Sequence, residues 1–256
     1  MMNQNQIPVR DSGNGECPVC HGRGYVIKHE EVEGYESGLD YAEECTACRG
    51  KKLLKDGTGI PLEFSEADLN RFDFTSYSCK MENFEKVINA FFEKFEKWEA
   101  AGKGLYLWSK TPGSGKTYLS CSVANSLVLR YGIRMRFVTA PGYLAVVGSS
   151  IKRQQGTQDE SEIFRNCSLL VLDDIGAQKN GDWQEQEIFR LIDSRTAAGK
   201  ITLFTSNMQP EDLNLNSRTV DRIRRCSIVL QMPEESIRRR KAEAEQERFL
   251  HEVLGE

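Results

Sequence analysis

The stretch Lys-Thr-Pro-Gly-Ser-Gly-Lys-Thr at residues 110–117 decides the fold that we expect for this chain. An apolar run at residues 104–108 precedes it and predicts a buried strand, and residues 118–127 follow it and predict a helix. A strand, a glycine loop and a helix in this order are typical of a phosphate-binding loop, because the glycines let backbone N–H groups surround phosphate oxygens. Lys116 would then reach the β- and γ-phosphates of a nucleotide, and the Thr117 hydroxyl would bind Mg²⁺.

One position departs from the usual form of this loop. The pattern normally has glycine six residues before the lysine, and here that residue is Lys110. A residue with a side chain at this point must either adopt an unusual φ angle or shift the entrance of the loop. The charge of Lys110 could help to hold phosphate or could be solvated, so the departure leaves the strength of nucleotide binding open.

The composition limits the classes of protein to which this chain can belong. The chain has 256 residues, of which 39% are hydrophobic and 28% charged, with a formal net charge of −4. These values predict one α/β domain with a small appendage, and the net charge gives no global attraction to nucleic acid. No apolar run approaches the ~20 residues that cross a bilayer, and residues 1–10 lack the apolar core of a signal peptide. We therefore expect a cytoplasmic protein with reduced thiols and no membrane partner.

Four of the eight cysteines form two Cys-x-x-Cys pairs, Cys17 with Cys20 and Cys45 with Cys48. Two such pairs at this separation match a tetrahedral Cys₄ zinc site, and a glycine soon after each pair permits the turn that directs both thiolates to one metal. Reduced cysteines without metal are the alternative. The cysteines to which we assign no role are Cys79, Cys121, Cys167 and Cys226.

The predicted zinc module covers residues 1–58. It is poor in large apolar side chains, so a bound metal would supply much of its folding energy. Residues 25–28 predict a short strand, and the acidic span at residues 30–44 favours a protein partner over DNA phosphates, although zinc ribbons bind either class. His21 and His29 are spare ligand candidates, but four sulfurs already complete the metal shell.

Residues 59–256 predict the second domain. Residues 59–74 are expected to form an extended arm whose aromatic side chains belong to the core. Apolar residues at helical spacing over 83–101 predict one amphipathic helix beside the strand that precedes the phosphate loop. Residues 135–139 predict a strand and residues 141–152 a helix. This alternation of strands and helices predicts a parallel sheet flanked by helices.

Two carboxylates follow the next apolar strand. The largely apolar residues 168–172 are followed directly by Asp173 and Asp174, which is typical of a Walker B motif. Asp173 would hold Mg²⁺, and Asp174 would polarise the attacking water. Asn207 follows a further strand at residues 201–205, where its side chain could bond the lytic water or the γ-phosphate. A serine and an asparagine after a strand are by themselves an ordinary turn, so the role of Asn207 depends on the order of the motifs.

A basic segment at residues 218–225 precedes the last predicted strand at residues 228–232. We expect this segment on the side of the sheet away from the zinc module, where an arginine could meet the γ-phosphate of a neighbouring subunit. Asp221 could orient such an arginine, and a solvated basic surface is the alternative. The arginines of the segment are Arg218, Arg222, Arg224 and Arg225.

The rest of the chain predicts one helix that begins at Pro233 and ends near Leu254. One helix is too short to form the separate helical lid that many oligomeric ATPases carry. Arg238 lies near the start of this helix and could reach the phosphates as a second sensor. A surface helix held by salt bridges is the alternative.

In this order, the motifs make residues 59–241 resemble the AAA+ ATPases of the DnaC/DnaI helicase-loader and IstB group. The resemblance implies an α/β, P-loop AAA+ core with a parallel sheet flanked by helices and without a full helical lid. The cysteine spacing predicts a small zinc-ribbon-like domain before this core. The segments that carry the resemblance are Gly59-Ile60-Pro61, Gly104-Leu105-Tyr106-Leu107-Trp108, Leu172-Asp173-Asp174-Ile175-Gly176, Thr205-Ser206-Asn207 and Ser236-Ile237-Arg238.

The resemblance also implies roles for individual residues in a Mg²⁺-dependent ATPase that is slow without its partner. Lys116, Asp174 and Asn207 would act in the site of their own chain, with Asn207 as the first sensor and Arg238 as the second. Arg222 would act as a finger on the neighbouring site, in competition with the other three arginines of its segment. The residues expected to bind ATP are Pro112, Gly113, Ser114, Gly115, Lys116, Thr117, Tyr118 and Asp173. The expected metal ligands are Cys17, Cys20, Cys45 and Cys48 for Zn²⁺, and Thr117 and Asp173 for Mg²⁺.

The function that this resemblance implies is an ATP-dependent loader. Such a protein binds the hexameric replicative DNA helicase and helps to place it on single-stranded DNA during bacterial or phage replication. ATP would close the interface between adjacent copies, which implies self-association through the ATP site. Two alternatives stay open: an IstB-like ATPase that helps DNA transposition on duplex DNA, and a zinc-centred adaptor whose nucleotide site is only structural.

Overall fold

The computed structural model describes residues 17–31, 38–152, 161–178 and 181–254, and the parts of the predicted zinc module at 1–16 and 32–37 lie outside the described residues. The strands are β1 (Tyr25–Glu30), β2 (Leu39–Glu44), β3 (Gly104–Trp108), β4 (Met135–Thr139), β5 (Leu169–Asp173), β6 (Ile201–Ser206) and β7 (Ser227–Gln231). The α-helices are α1 (Thr46–Lys55), α2 (Glu82–Glu93), α3 (Phe95–Ala100), α4 (Lys116–Tyr131), α5 (Ala140–Lys152), α6 (Glu162–Asn166), α7 (Asp182–Ala197), α8 (Ser217–Cys226) and α9 (Ile237–Leu254). Among the described helices, none combines the length and apolar character needed to span a membrane.

Strands β3 to β7 form one parallel sheet in the order β4-β5-β6-β3-β7. Strands β3, β5 and β6 are buried along their whole length, which explains why their sequences are mostly apolar and do not alternate with polar residues. The prediction of a parallel sheet flanked by helices is confirmed. Because all five strands run in one direction, the residues that follow β3, β5 and β6 meet at the same edge of the sheet.

Helices cover both faces of this sheet. On one face, α2, α3 and α4 pack with Leu105 and Leu107 of β3. On the other face, α5, α6, α7 and α8 pack with Tyr106 and Trp108 of the same strand, as the two-residue repeat of a strand requires. Since α1 packs against α4, the cysteine module and the arginines of α8 lie on opposite faces of the sheet.

The N-terminal module packs directly on the domain that contains the parallel sheet. Strands β1 and β2 form an antiparallel hairpin, and α1 follows it. A Cβ atom on Gly50 of α1 would lie 2.4 Å from the carbonyl oxygen of Val128 in α4, so glycine is required for this close approach of the two helices. The sequence predicted β1 but not β2, because the acidic segment Leu-Asp-Tyr-Ala-Glu-Glu has little of the composition of a strand.

The single helix predicted over residues 83–101 is wrong, because the chain forms α2 and α3 with a break at Lys94. Lys94 has φ −117° and ψ 31°, outside the helical range. The break allows the indole N–H of Trp98 to donate to the Ala90 carbonyl at 3.2 Å and its ring to meet Phe91 edge-on at 5.1 Å. The apolar repeat continues through the break, so periodicity alone did not show it.

The segment at residues 59–78, which we name the aromatic arm, is not extended as predicted. It contains three one-turn 3₁₀ helices, Leu62–Phe64, Leu69–Arg71 and Phe74–Ser76. Asp68 and Asp73 each accept a hydrogen bond from the backbone N–H two residues later, which stabilises two of these turns. The side-chain amide of Asn125 in α4 donates to the Ala67 carbonyl at 2.9 Å and holds the arm against the core.

A buried arginine links three elements of the second face. Arg195 of α7 is 1% exposed, and its guanidinium donates to the carbonyl oxygens of Phe164 and Ile201 at 2.6 Å and of Cys167 at 2.9 Å. Substitution by leucine would leave these buried acceptors unsatisfied. We expect Arg195→Leu to lower the free energy of unfolding by about 3–5 kcal/mol, measured by urea denaturation.

The control for this substitution is Gln186→Leu, on the exposed surface of the same helix. This substitution should change the free energy of unfolding by no more than about 0.5 kcal/mol. Equal losses in the two variants would contradict a structural role for the buried guanidinium.

Candidate functional site

The loop that joins β3 to α4 turns through two glycines in the left-handed region. Gly113 has φ 77° and Gly115 has φ 95°, and Gly115 precedes the first residue of α4. Lys110 is not one of the non-glycine residues with positive φ in the described part of the chain. Its N–H donates to the Glu234 carboxylate at 3.0 Å. The position where the motif usually has glycine therefore holds lysine without left-handed strain.

Lys116 is buried at the base of this loop, with 5% of its surface exposed. Its ammonium donates to the carbonyl oxygens of Ser109 at 3.3 Å and Thr111 at 3.2 Å, and to the Ser114 hydroxyl at 3.3 Å. Burial lowers the pKa of Lys116, while Asp174, which lies nearby, opposes that effect. The hydrogen-bond partners are neutral, so a phosphate would bind this ammonium more strongly than they do.

Asp173 and Thr117 are in direct contact. One carboxylate oxygen of Asp173 accepts hydrogen bonds from the Thr117 hydroxyl at 2.9 Å and from the Thr205 hydroxyl at 2.6 Å. Burial raises the pKa of Asp173, and these two hydrogen bonds oppose the rise. A hydroxyl and a carboxylate side by side at the foot of a phosphate loop are oxygen ligands of the kind that Mg²⁺ prefers.

Asp174 has a strained backbone at the centre of the site. Its φ is 53°, in the left-handed region, and its N–H donates to the Thr205 hydroxyl at 3.0 Å. Asp174 and Asn207 both line the cleft that also contains Lys116. The turn between Asp173 and Asp174 therefore places one carboxylate against Thr117 and the other in the cleft.

The cleft has a volume of about 430 Å³ and lies between the phosphate loop, the aromatic arm and the start of α9. This volume is within the range of small-molecule sites. Four aromatic rings line it, those of Phe64, Phe72, Tyr77 and Tyr118. Phe72 stacks on Tyr118 with centroids 6.0 Å apart, and Phe64 meets Tyr118 edge-on. The sequence predicts that the aromatic residues of the arm belong to the core, and Phe64 and Phe72 do pack against it. Their place in the cleft makes them candidates for contact with a nucleotide base.

Arg238 lies at the same cleft, although α9 begins at Ile237 and not at Pro233 as predicted. The backbone N–H of Arg238 donates to the Gly113 carbonyl at 3.2 Å. Its side chain passes close to the loop, since a Cβ on Gly113 would lie 2.9 Å from the Cβ of Arg238. The structure thus brings Arg238 together with Lys116, Asp174 and Asn207 in one site.

The other predicted arginine, Arg222, is not at the cleft of its own chain. It pairs with Asp193 at 2.8 Å, beside Gly102 and Gly199, which precede β3 and β6. These residues lie at the amino-terminal edge of the sheet, whereas the phosphate loop lies at the carboxyl edge. Arg224 pairs with Glu211, and Arg218 and Arg225 lie near Arg222 along α8.

The four predicted zinc ligands come together in the N-terminal module. The sulfurs of Cys17, Cys20, Cys45 and Cys48 all lie within 4.8 Å of one another. The Sγ atoms of Cys17 and Cys45 are 3.7 Å apart, and those of Cys20 and Cys48 are 3.5 Å apart. Zinc–sulfur bonds of about 2.3 Å in a tetrahedron place sulfurs about 3.8 Å apart, so the geometry fits Zn²⁺. His29 bonds Asp40 instead, at 2.7 Å.

The thiols of this cluster compete for protons. Burial raises the pKa of Cys45 and, with hydrogen bonds to neighbouring thiols, raises the pKa of Cys48 to about 12. For Cys20, burial is outweighed by hydrogen bonds from the Gly24 N–H and from Cys48, which lower its pKa to about 7. A divalent cation would hold all four sulfurs as thiolates and remove this competition.

The chain is similar to known proteins over most of its length. The family described as IstB-like ATP binding protein matches residues 96–245. The replicative helicase loader DnaC of Escherichia coli (strain K12) is 29% identical over 205 residues, which cover 74% of this chain and 80% of that protein. The replicative helicase loader DnaI of Bacillus subtilis (strain 168) is 31% identical over 196 residues, which cover 76% of this chain and 59% of that protein.

A solved structure shows the same fold. The crystal structure of the DnaC helicase loader aligns with a TM-score of 0.61 and 23% sequence identity, and covers 68% of this chain and all of that one. At this level of identity the alignment supports the fold of the ATPase domain. It adds no information on ligands or partners.

Proposed function

Because this chain belongs to the IstB-like ATP-binding protein family of AAA+ ATPases, we propose that it is an ATP-dependent loader of the replicative DNA helicase. The similarity to replicative helicase loaders over about three quarters of the chain carries this proposal. The nucleotide cleft supports it, since a loader that is switched by ATP needs phosphate-binding, metal-binding and sensor residues in one place.

In this proposal, each residue of the cleft has a separate role in ATP hydrolysis. Lys116 and the loop N–H groups would hold the β- and γ-phosphates, and Thr117 with Asp173 would hold Mg²⁺, whose charge would offset that of the phosphates. The Asp174 carboxylate accepts a hydrogen bond from the attacking water, and Asn207 orients that water. Since these residues supply no trans-acting cation, hydrolysis should be slow in the isolated chain.

The aromatic arm would hold the adenine base. Phe64 and Phe72 of the arm line the cleft together with Tyr118 of α4, and their rings stack or meet edge-on there. The phosphate side of the cleft would also contain Arg238, which we propose as the second sensor of the γ-phosphate. Bound ATP would thus contact the phosphate loop, the aromatic arm and α9 at the same time.

We also propose that copies of the chain associate through the ATP site, with Arg222 of one copy at the γ-phosphate of the next. Single-stranded DNA is the proposed nucleic-acid partner during loading. The zinc module, with Zn²⁺ on its four cysteines, would contact a protein, because its hairpin is acidic: Glu30, Asp40, Glu43 and Glu44 lie on β1 and β2. An acidic surface repels DNA phosphates.

The test is a pull-down of the replicative helicase by the full-length, zinc-replete chain with ATP, with ADP and without nucleotide. We expect several-fold more helicase with ATP than with ADP. Asp174→Asn should keep ATP binding, lower hydrolysis by about 10²-fold or more, and hold the helicase in the ATP-bound complex. The control is Asp182→Asn, an exposed carboxylate in the first turn of α7.

Two outcomes would contradict the proposal and favour the alternatives. Binding of duplex DNA with no retention of helicase would favour an IstB-like helper of transposition. Helicase binding that is insensitive to nucleotide, with hydrolysis that is absent and unchanged by Asp174→Asn, would favour a zinc-centred adaptor with a structural nucleotide site.

A further inference from the structure

Glu234, in the connection from β7 to α9, is bonded to the entrance of the phosphate loop. Its carboxylate accepts hydrogen bonds from the Lys110 N–H at 3.0 Å and the Thr111 hydroxyl at 2.9 Å. The Ser109 hydroxyl lies within 3.3 Å of the same carboxylate and donates to the Pro233 carbonyl at 3.1 Å. These contacts hold the connection against one wall of the nucleotide cleft.

Glu235, the next residue, bonds in the opposite direction, to the aromatic arm. Its carboxylate accepts hydrogen bonds from the Ser78 N–H at 2.9 Å and from the Ser78 hydroxyl at 3.0 Å. Arg240, in the first turns of α9, donates to the Ser76 carbonyl and lies 3.9 Å from the Glu235 carboxylate. The start of α9 is therefore held on both sides of the cleft.

The third side of this frame joins the arm to the phosphate loop. The Tyr77 hydroxyl donates to the Ser114 carbonyl at 2.7 Å in a buried contact. A Cβ on Gly115 would lie 2.8 Å from that hydroxyl, so the arm and the loop meet without space for a side chain. The loop, the arm and the start of α9 are thus each bonded to the other two, with the cleft between them.

We propose that Glu235 is a positioning residue that holds Arg238 at the phosphate end of the cleft by fixing the start of α9 to the aromatic arm. This inference rests on the proposed function, because it takes the cleft to be an ATP site. Arg238 follows Glu235 by three residues, so the hydrogen bonds of Glu235 to Ser78 set where the first turn of α9 begins. Loss of these bonds weakens the attachment of this turn to the arm and lets the guanidinium shift from the phosphate end of the cleft.

The consequence is a change in the preference for ATP over ADP. Arg238 placed at the γ-phosphate stabilises ATP and not ADP, whereas contacts to the base and to the β-phosphate serve both nucleotides. The ratio of the two dissociation constants therefore reports on Arg238 and cancels any general loosening of the arm. A purely structural role for Glu235 would change both constants by the same factor.

The experiment is calorimetric titration of the full-length, zinc-replete protein with ATP and with ADP. We expect Glu235→Ala to lower the ratio of Kd for ADP to Kd for ATP by about tenfold, the value of one hydrogen bond to a charged group. The matched control is Glu243→Ala, an exposed glutamate farther along α9, which should leave the ratio unchanged. An unchanged ratio in Glu235→Ala would overturn the proposal.

A double variant separates positioning from an independent effect. In an Arg238→Ala background, Glu235→Ala should change the ratio by less than about twofold, because its effect passes through the guanidinium. If the double variant changes the ratio by the product of the two single-variant effects, the proposal is overturned. Ser78→Ala removes the hydroxyl donor from the other end of the contact and should lower the ratio by about threefold. It decides the question if Glu235→Ala fails to fold.

The wild-type titration distinguishes the two levels of inference. Absence of heat with both nucleotides would refute the ATP site itself and the proposed function with it. Binding of ATP by the wild type, with the same ATP preference in Glu235→Ala and Ser78→Ala, would refute the positioning role alone.

Discussion

Arg222→Ala should lower ATP hydrolysis by the assembled protein by about 10³-fold or more, and it should leave the affinity of each protomer for ATP unchanged. Arg222 lies at the amino-terminal edge of the sheet and cannot reach the phosphates of its own cleft, which opens at the carboxyl edge. In the proposed assembly, it would complete the site of a neighbour. Its present partner is Asp193, and a surface ion pair of this kind contributes only about 0–1 kcal/mol, so a phosphate can replace it.

Mixing of variants tests whether Arg222 acts across an interface. Arg222→Ala has an intact cleft, and Lys116→Ala has an intact arginine, so each alone should be inactive. Mixed assemblies contain interfaces where an intact cleft faces an intact arginine, and hydrolysis should return in part. Arg218→Ala, Arg224→Ala and Arg225→Ala serve as controls on the same helix. If one of these three loses activity in place of Arg222, the finger is that residue.

Part of the site could be predicted because its functional residues occur in short, local sequence motifs. Gly113 and Gly115 occupy the two left-handed positions of the loop, and no other residue type adopts them without strain. The strand before Asp173 is apolar because it is buried in the middle of the sheet, and the acids follow at its end. The four cysteines were predictable for the same reason, since each pair forms a turn of fixed length.

The frame around the cleft could not be predicted, because it depends on contacts between distant segments. Glu234 bonds Lys110 across 124 residues, and Glu235 bonds Ser78 across 157. The sequence near Pro233 favoured a helix with acids in its first turn, whereas both glutamates precede α9 and bind other segments. A single hydrogen bond between distant segments produces no periodic pattern in the sequence, so the sequence could not predict it.

The aromatic arm shows a second limit of sequence patterns. A phenylalanine in the core and a phenylalanine at the wall of a cleft have the same apolar character, so composition does not separate them. Phe72 does both, because it packs with Phe74 and stacks on Tyr118 at the cleft. Its place follows from the 3₁₀ turns that coil the arm across α4, and these turns depend on Asp68 and Asp73.

Cys45→Ser should release the metal and unfold the hairpin of β1 and β2 while the ATPase sheet stays folded. Among the described residues of this module, the buried core consists of three of the cluster cysteines and Ala47, with Val26 and Cys48 partly buried beside it. This apolar area is small, so we expect folding of the hairpin to depend on the metal, whose binding supplies about 10–16 kcal/mol in comparable zinc modules.

Two measurements test this dependence on the metal. Elemental analysis should find one zinc per wild-type chain and none in Cys45→Ser, and hydrogen exchange should show loss of protection in β1 and β2 but not in β3 to β7. Cys79→Ser is the matched control, because Cys79 is exposed and outside the cluster. Helix α1 should keep partial protection, since Gly50 packs on α4 independently of the sulfurs. A metal-free hairpin that retains full protection would show that the four cysteines are structural thiols and not ligands.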